Sequence, residues 1–186
     1  MQVSSEALIA FLEQHGAATM GHSDDGLLAH LLGTEALLRA WGARPALCTA
    51  GLLHSVYGTE SYRGTLLPLD LRPKVRELAG DEAETIAYRF GAMEKDSFYT
   101  NLWRTDDFRI RNRFTGKDEP LTERALGDLS DLVAANWLEQ RDRAPEAVRW
   151  HRRVEFAAMR PRLLPAARAA IEAAYGLDPA GSSGTP

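Results

Sequence analysis

The stretch DDGLLAHLLGTEALLRAWG, residues 24–42, constrains the fold of this chain more than any other. Leu27, Leu28, Leu31, Leu32, Leu37, Leu38 and Trp41 recur at helical spacing but wrap more than one face. A surface helix carries a single apolar stripe, so a helix that is apolar on several sides must be enclosed by other elements. Asp24 and Asp25 can cap its start and Gly42 can end it. The chain therefore reads as helices packed around a central one.

The rest of the sequence supplies the neighbours. Ser4 or Ser5 can open a first helix running to about Gln14, stopped by Gly16. Pro45 suits the first turn of a third helix that ends near His54. LRPKVRELAG gives a short fourth helix stopped by Gly80. DEAETIAYRFGAM opens with acids that favour a helix start, and Ala83, Ile86, Ala87 and Phe90 form its apolar stripe. The helical period breaks between Arg104 and Pro120. In FRIRNRF, Phe108, Ile110, Asn112 and Phe114 alternate with Arg109, Arg111 and Arg113, and TGKDEP follows, which together read as a strand or hairpin arm. TERALGDLSDLVAANWLEQR restores the helix, capped by Thr122. A long helical stretch from Pro145 to Tyr175 is expected to bend at Pro161 or Pro165. LDPAGSSGTP reads as a disordered tail. No repeat or linker divides the chain. The expectation is one all-α domain over residues 1–176, with a strand or hairpin arm near residues 106–120 and a tail over 177–186.

Composition sets the outer limits. A chain of 186 residues can bury a real core, and 45% hydrophobic with 26% charged residues is ordinary for a globular domain. A net charge of −4 gives no general pull toward nucleic acid or anionic membranes. No apolar run reaches the ~18 residues that span a bilayer. Glu6 and Glu13 interrupt any signal-peptide layout in MQVSSEALIAFLEQHG. Cys48 is the only cysteine, which excludes an internal disulfide and points to the cytoplasm. Arginine far outnumbers lysine, present only as Lys74, Lys95 and Lys117, a bias that with the abundant alanine suggests a GC-rich bacterial genome.

Few residues carry chemistry. His30 lies mid-helix among Leu27, Leu31, Thr34 and Leu37. His54 closes the apolar run in AGLLHSVYGTE, on a face with Leu47, Ala50 and Gly51. Ala50 and Gly51 are small enough for two helices to approach and bring the histidines together. Asp128 and Asp131 lie one turn apart on a later helix, and Asn136, set among Leu129, Leu132 and Val133, needs a polar partner. Each histidine alone reads as a hydrogen-bonded core residue and each aspartate as a solvated acid. Together they fit a metal site as well, and the residues leave both readings open. Tyr57 and Glu60 follow His54 in a loop with Gly58, placed to rim a pocket. The arginines of FRIRNRF can bind an anion or simply protect a strand edge.

The order of these residues resembles the HD-domain superfamily, largely metal-dependent phosphohydrolases with an all-helical fold. The likeness runs from about Asp24 to Gln140 through LLAHLLGTEALLRAWG, CTAGLLHSVYGTE, LAGDEAETIAYRF and LSDLVAANWLEQ. Residues 50–90 look most like the hydrolase half of guanosine tetraphosphate synthetase/hydrolases. The resemblance implies His30, His54 and Asp131 as metal ligands, with Glu60 and Tyr57 beside the reacting group. Ser55 stands where the family has an aspartate that bridges two metals, so at most one divalent ion (Fe, Mn or Zn) is implied. The implied function is metal-assisted hydrolysis of a small molecule, phosphorylated or otherwise anionic, with no nucleic-acid or membrane partner. Iron-dependent oxidation is the alternative. It normally uses additional histidines, and only His15 and His22 precede the site, with none between His54 and His151. A relative that binds a ligand without catalysis is the third reading.

Overall fold

The computed structural model describes residues 5–21 and 26–178, which form a mostly helical fold with one two-stranded arm. The caps expected at Ser4, Asp24 and Asp25, the histidine His22 and the tail from residue 179 lie outside the described residues. α1 spans Ser5–Gln14, α2 Gly26–Ala40, α3 Pro45–Leu53, α4 Arg72–Ala79 and α5 Asp81–Ala92. α2 is the central helix expected from its pattern. It packs along α3 and along the later helix α7 (Glu123–Arg141), and α3 packs in turn on α5. Leu27, Leu31 and Leu38 of α2 are fully buried.

α3 begins at Pro45, whose fixed φ suits a first helical turn and whose missing N–H costs nothing there. Its sequence PALCTAGLL is apolar on every side, and Leu47, Cys48, Ala50, Gly51, Leu52 and Leu53 are all buried. The approach of α2 to α3 depends on Gly51. A Cβ there would lie 2.7 Å from Leu38 Cδ1 and 3.3 Å from the Glu35 Cα, inside ordinary contact.

The arm is a hairpin of β1 (Arg109–Asn112) and β2 (Lys117–Pro120), antiparallel, with Arg109 opposite Pro120 and Asn112 opposite Lys117. Exposed and buried residues alternate along β1, as the period of two requires. Ahead of it lie α6 (Lys95–Thr100) and a 3-10 turn at Asn101–Trp103, which leave no periodic trace in so short a segment. Asn101 is fully buried and clasps the hairpin. Its Nδ2 donates to the Arg109 carbonyl at 2.8 Å and its Oδ1 accepts the Arg109 N–H at 2.9 Å.

α7 starts at Thr122, whose Oγ1 accepts the Ala125 N–H, the cap its sequence indicates. The stretch after Pro145 is not one bent helix but three: α8 (Glu146–Arg149), α9 (Arg153–Met159) and α10 (Pro165–Tyr175). Arg152 takes a left-handed φ of 59° between α8 and α9. Leu164 is extended ahead of Pro165, because the ring of a proline disfavours helical backbone in the residue before it. Pro165 therefore starts a helix rather than kinking one.

Candidate functional site

His30 on α2 and His54 at the C-terminal end of α3 are both fully buried, and the close packing around Gly51 brings their rings together. The ring centroids are 4.9 Å apart and the two Nε2 atoms 3.0 Å apart. α7 closes the triangle with Asn136, whose Oδ1 lies 3.0 Å from His30 Nε2 and 2.9 Å from His54 Nε2. The edge of the Phe90 ring system packs on His54, with centroids 5.1 Å apart and planes at 89°.

The outer nitrogens decide what the inner ones can do. His54 Nδ1 lies 2.7 Å from the Gly51 carbonyl oxygen. A carbonyl only accepts, so Nδ1 carries the hydrogen and Nε2 of the neutral ring presents a lone pair. His30 Nδ1 meets the Glu139 carboxylate, which only accepts, so this Nδ1 carries a hydrogen as well. Glu139 is in turn held by Arg143. Gly33 makes room for it, since a Cβ there would stand 2.8 Å from Glu139 Cγ. With both imidazoles neutral and the Asn136 Oδ1 facing them, three acceptor atoms meet across about 3 Å, an arrangement that a cation at the centre relieves.

The structure brings His30 and His54 together but places Asp131 apart from them. Asp131 Oδ1 accepts the Leu164 N–H at 2.9 Å, at the start of α10. Residues five apart on a helix point about 140° from each other, so Asp131 and Asn136 face different neighbours. Burial pushes the Asp131 carboxyl up to about 7, with the Leu164 N–H opposing and Asp128 adding to the rise. Asp128 binds Arg44 at 2.6 Å. Among the described residues no three His, Cys, Asp or Glu side chains gather as a metal-ligand set, because the third member here is an amide.

In the loop after α3, Tyr57 and Glu60 make contacts within the fold. Tyr57 is buried and its hydroxyl donates to Glu84 at 3.3 Å, with burial and that carboxylate raising its pKa. Glu60 accepts the backbone N–H of Lys95 at 3.0 Å and so secures the start of α6. Ser55 is buried beside His54 and adds no carboxylate to the triangle. His15 turns its Nδ1 to the Phe11 carbonyl. The arginines of the arm are also committed: Arg109 to Asp107, Arg111 to Asp118, and Arg113 to the Gly91 and Tyr57 carbonyls.

A cavity of about 350 Å³ adjoins the triangle. Asn136 and Phe90 line it, together with Lys95, Tyr99, Trp137 and Arg152. A larger cleft of about 790 Å³ between α2, α3 and α4 is walled by arginines already bound to acids: Arg39 to Glu35, Arg44 to Glu82 and Asp128, Arg124 to Glu82. The smaller cavity is the one that meets groups able to do chemistry.

A family model described as a domain of unknown function (DUF6817) matches residues 11–95. That span contains His30 and His54 and ends before Asn136 and Glu139. No curated protein and no solved structure matches the chain.

Proposed function

We propose that this protein is a divergent HD-type metalloenzyme that holds one divalent ion, Fe, Mn or Zn, at His30, His54 and Asn136 and hydrolyses a small anionic molecule. The observation that carries the reading is the triangle of Nε2, Nε2 and Oδ1, with edges of 3.0, 3.0 and 2.9 Å and both Nδ1 atoms turned outward as donors. Adjacent ligands on an octahedral ion with bonds of about 2.1 Å stand about 3.0 Å apart, so the donor set fits such an ion. Asn136 takes the place that the sequence resemblance implies for Asp131.

The ion would supply Lewis acidity and an activated water. The protein's own side chains do the rest. Glu139 orients His30 and raises its donor strength. Phe90 and Trp137 give the cavity apolar wall beside Asn136. All three ligands are neutral, so a second dication would meet uncompensated repulsion, which supports a single ion.

The facial arrangement of two imidazoles and one oxygen also favours a second reading, iron-dependent oxidation, since it leaves neighbouring positions open. A third, ligand binding without catalysis, corresponds to the Asn136 amide reversed, with its NH2 donating to both imidazoles and no ion held. The test loads the purified protein with Mn, Zn or Fe and follows para-nitrophenyl phosphate and bis-para-nitrophenyl phosphate. Metal-dependent release of nitrophenol, abolished in His54→Ala, is the expected result. Oxygen uptake with iron alone would replace hydrolysis by oxidation, and inactivity with an empty site would leave the non-catalytic reading.

A further inference from the structure

The cavity beside the triangle is lined by a cation that no acid pairs with directly among the described residues. Lys95, the first residue of α6, is half-buried, and its Nζ donates to Ser61 Oγ at 2.8 Å. Among the described residues its ammonium enters no ion pair. Glu60 is close, but its carboxylate is bonded to the Lys95 backbone N–H instead. Burial lowers the pKa of Lys95 more than the field of Glu60 raises it, and Arg152 lowers it further. Arg152, the other cation of the cavity, is already matched by Asp96 at 3.1 Å and Glu155 at 3.0 Å, and its guanidinium lies over the Tyr99 ring. Desolvated charge without a directly bonded counter-ion is costly, and an anion entering the cavity reduces that cost.

The walls specify the rest of the ligand. Tyr99, Trp137 and Phe156 give aromatic surface to the cavity that Lys95 and Asn136 also line. A volume of about 350 Å³ is near the lower end of ligand pockets, which suits a single-ring compound better than a nucleotide.

We infer that this cavity binds a small organic anion, its carboxylate or phosphate held by Lys95 Nζ and Ser61 Oγ and its planar apolar body lying against Tyr99, Trp137 and Phe156. The inference deepens the proposed function by naming a substrate class. It rests on that reading only for the claim that the ligand is acted upon.

The test is made on metal-stripped, full-length protein, so it does not depend on the triangle holding an ion. Phenyl phosphate, benzoate and benzyl alcohol are titrated by calorimetry, with tryptophan fluorescence as a second readout. One or both anions should bind, at least tenfold tighter than the neutral alcohol, and the stronger of the two names the anionic group. Lys95→Met should weaken anion binding at least tenfold while leaving the alcohol unchanged, Lys95→Arg should recover most of it, and Ser61→Ala should cost a few-fold. Thermal melts of each variant confirm folding. Equal affinity for anion and alcohol, or a folded Lys95→Met that binds anions as well as the parent, would overturn the inference. So would the absence of any anion binding. A metal site that proves empty would leave these titrations unaltered and would count only against the proposed function.

Discussion

Replacing Asp131 by asparagine separates a structural role from a metal-binding one, and the structure sets the expected size. Asp131 is 4% exposed and its carboxyl keeps its proton to about pH 7, against about 3.8 for an ordinary aspartate. Each unit of such a difference is worth about 1.4 kcal/mol, so the whole shift amounts to about 4 kcal/mol. The unfolded chain loses this proton near pH 4 and the folded chain near pH 7, so between those values the native state binds the extra proton. Stability therefore falls as pH rises across that window and levels off above it. Asparagine keeps an oxygen for the Leu164 N–H and never ionises. Urea unfolding followed by circular dichroism at pH 5, 6, 7 and 8 should show Asp131→Asn more stable than the parent by about 1–2 kcal/mol at pH 5, where the unfolded chain's aspartate has already lost its proton. At pH 8 the gap should widen to about 3–4 kcal/mol, with metal content unchanged. A variant less stable than the parent at pH 8, or one that loses a metal the parent holds, would refute the reasoning.

Other substitutions probe the frame. Gly51→Val should cost about 1–3 kcal/mol by urea unfolding and reduce metal retention, because the new side chain drives α3 from Leu38 and Glu35 and parts His54 from His30. Glu84 is fully buried, and although burial raises its pKa, Arg72 and Arg76 outweigh that and hold it below the usual range. Its contribution is thus present at neutral pH and lost as pH falls through the lowered value, and Glu84→Gln should cost about 2–4 kcal/mol at pH 7 with a smaller loss on acidification. Glu139→Gln should leave the melting temperature of the metal-free protein nearly unchanged and weaken metal binding about 10–100-fold, measured by competition with a chromogenic chelator.

Much of the frame is legible in the sequence because its signals are local. Leucines on several sides of α2 demand enclosure, Pro45 and Thr122 mark helix starts, and the alternation in FRIRNRF marks a strand. His30 and His54 stand out as polar groups inside apolar helices, with Gly51 as the residue that lets them meet. The third member of the triangle is harder to read. α7 buries Leu126, Leu129, Leu132, Val133 and Ala134, more than one face, so its sequence does not say which side meets α2 and α3. A carboxylate is the stronger ligand chemically, which favours Asp131, whereas the packing register brings Asn136 to the histidines. The signal for Asn136 is its need for a partner among leucines and valine. Glu139 and Lys95 act through contacts far away in the chain or on a helix too short to show a period. The breaks around Arg152 and Leu164 depend on single backbone conformations that composition does not reveal.

Binding of one metal ion by His30, His54 and Asn136, as proposed, is tested most directly by elemental analysis of full-length protein purified without chelator and reloaded with Mn, Zn or Fe. The parent should retain close to one equivalent of one of these ions after gel filtration. His30→Ala, His54→Ala and Asn136→Leu should retain almost none, and Asp131→Asn should match the parent. A parent that stays empty after reloading with all three ions would contradict the claim, as would a folded Asn136→Leu that keeps its metal.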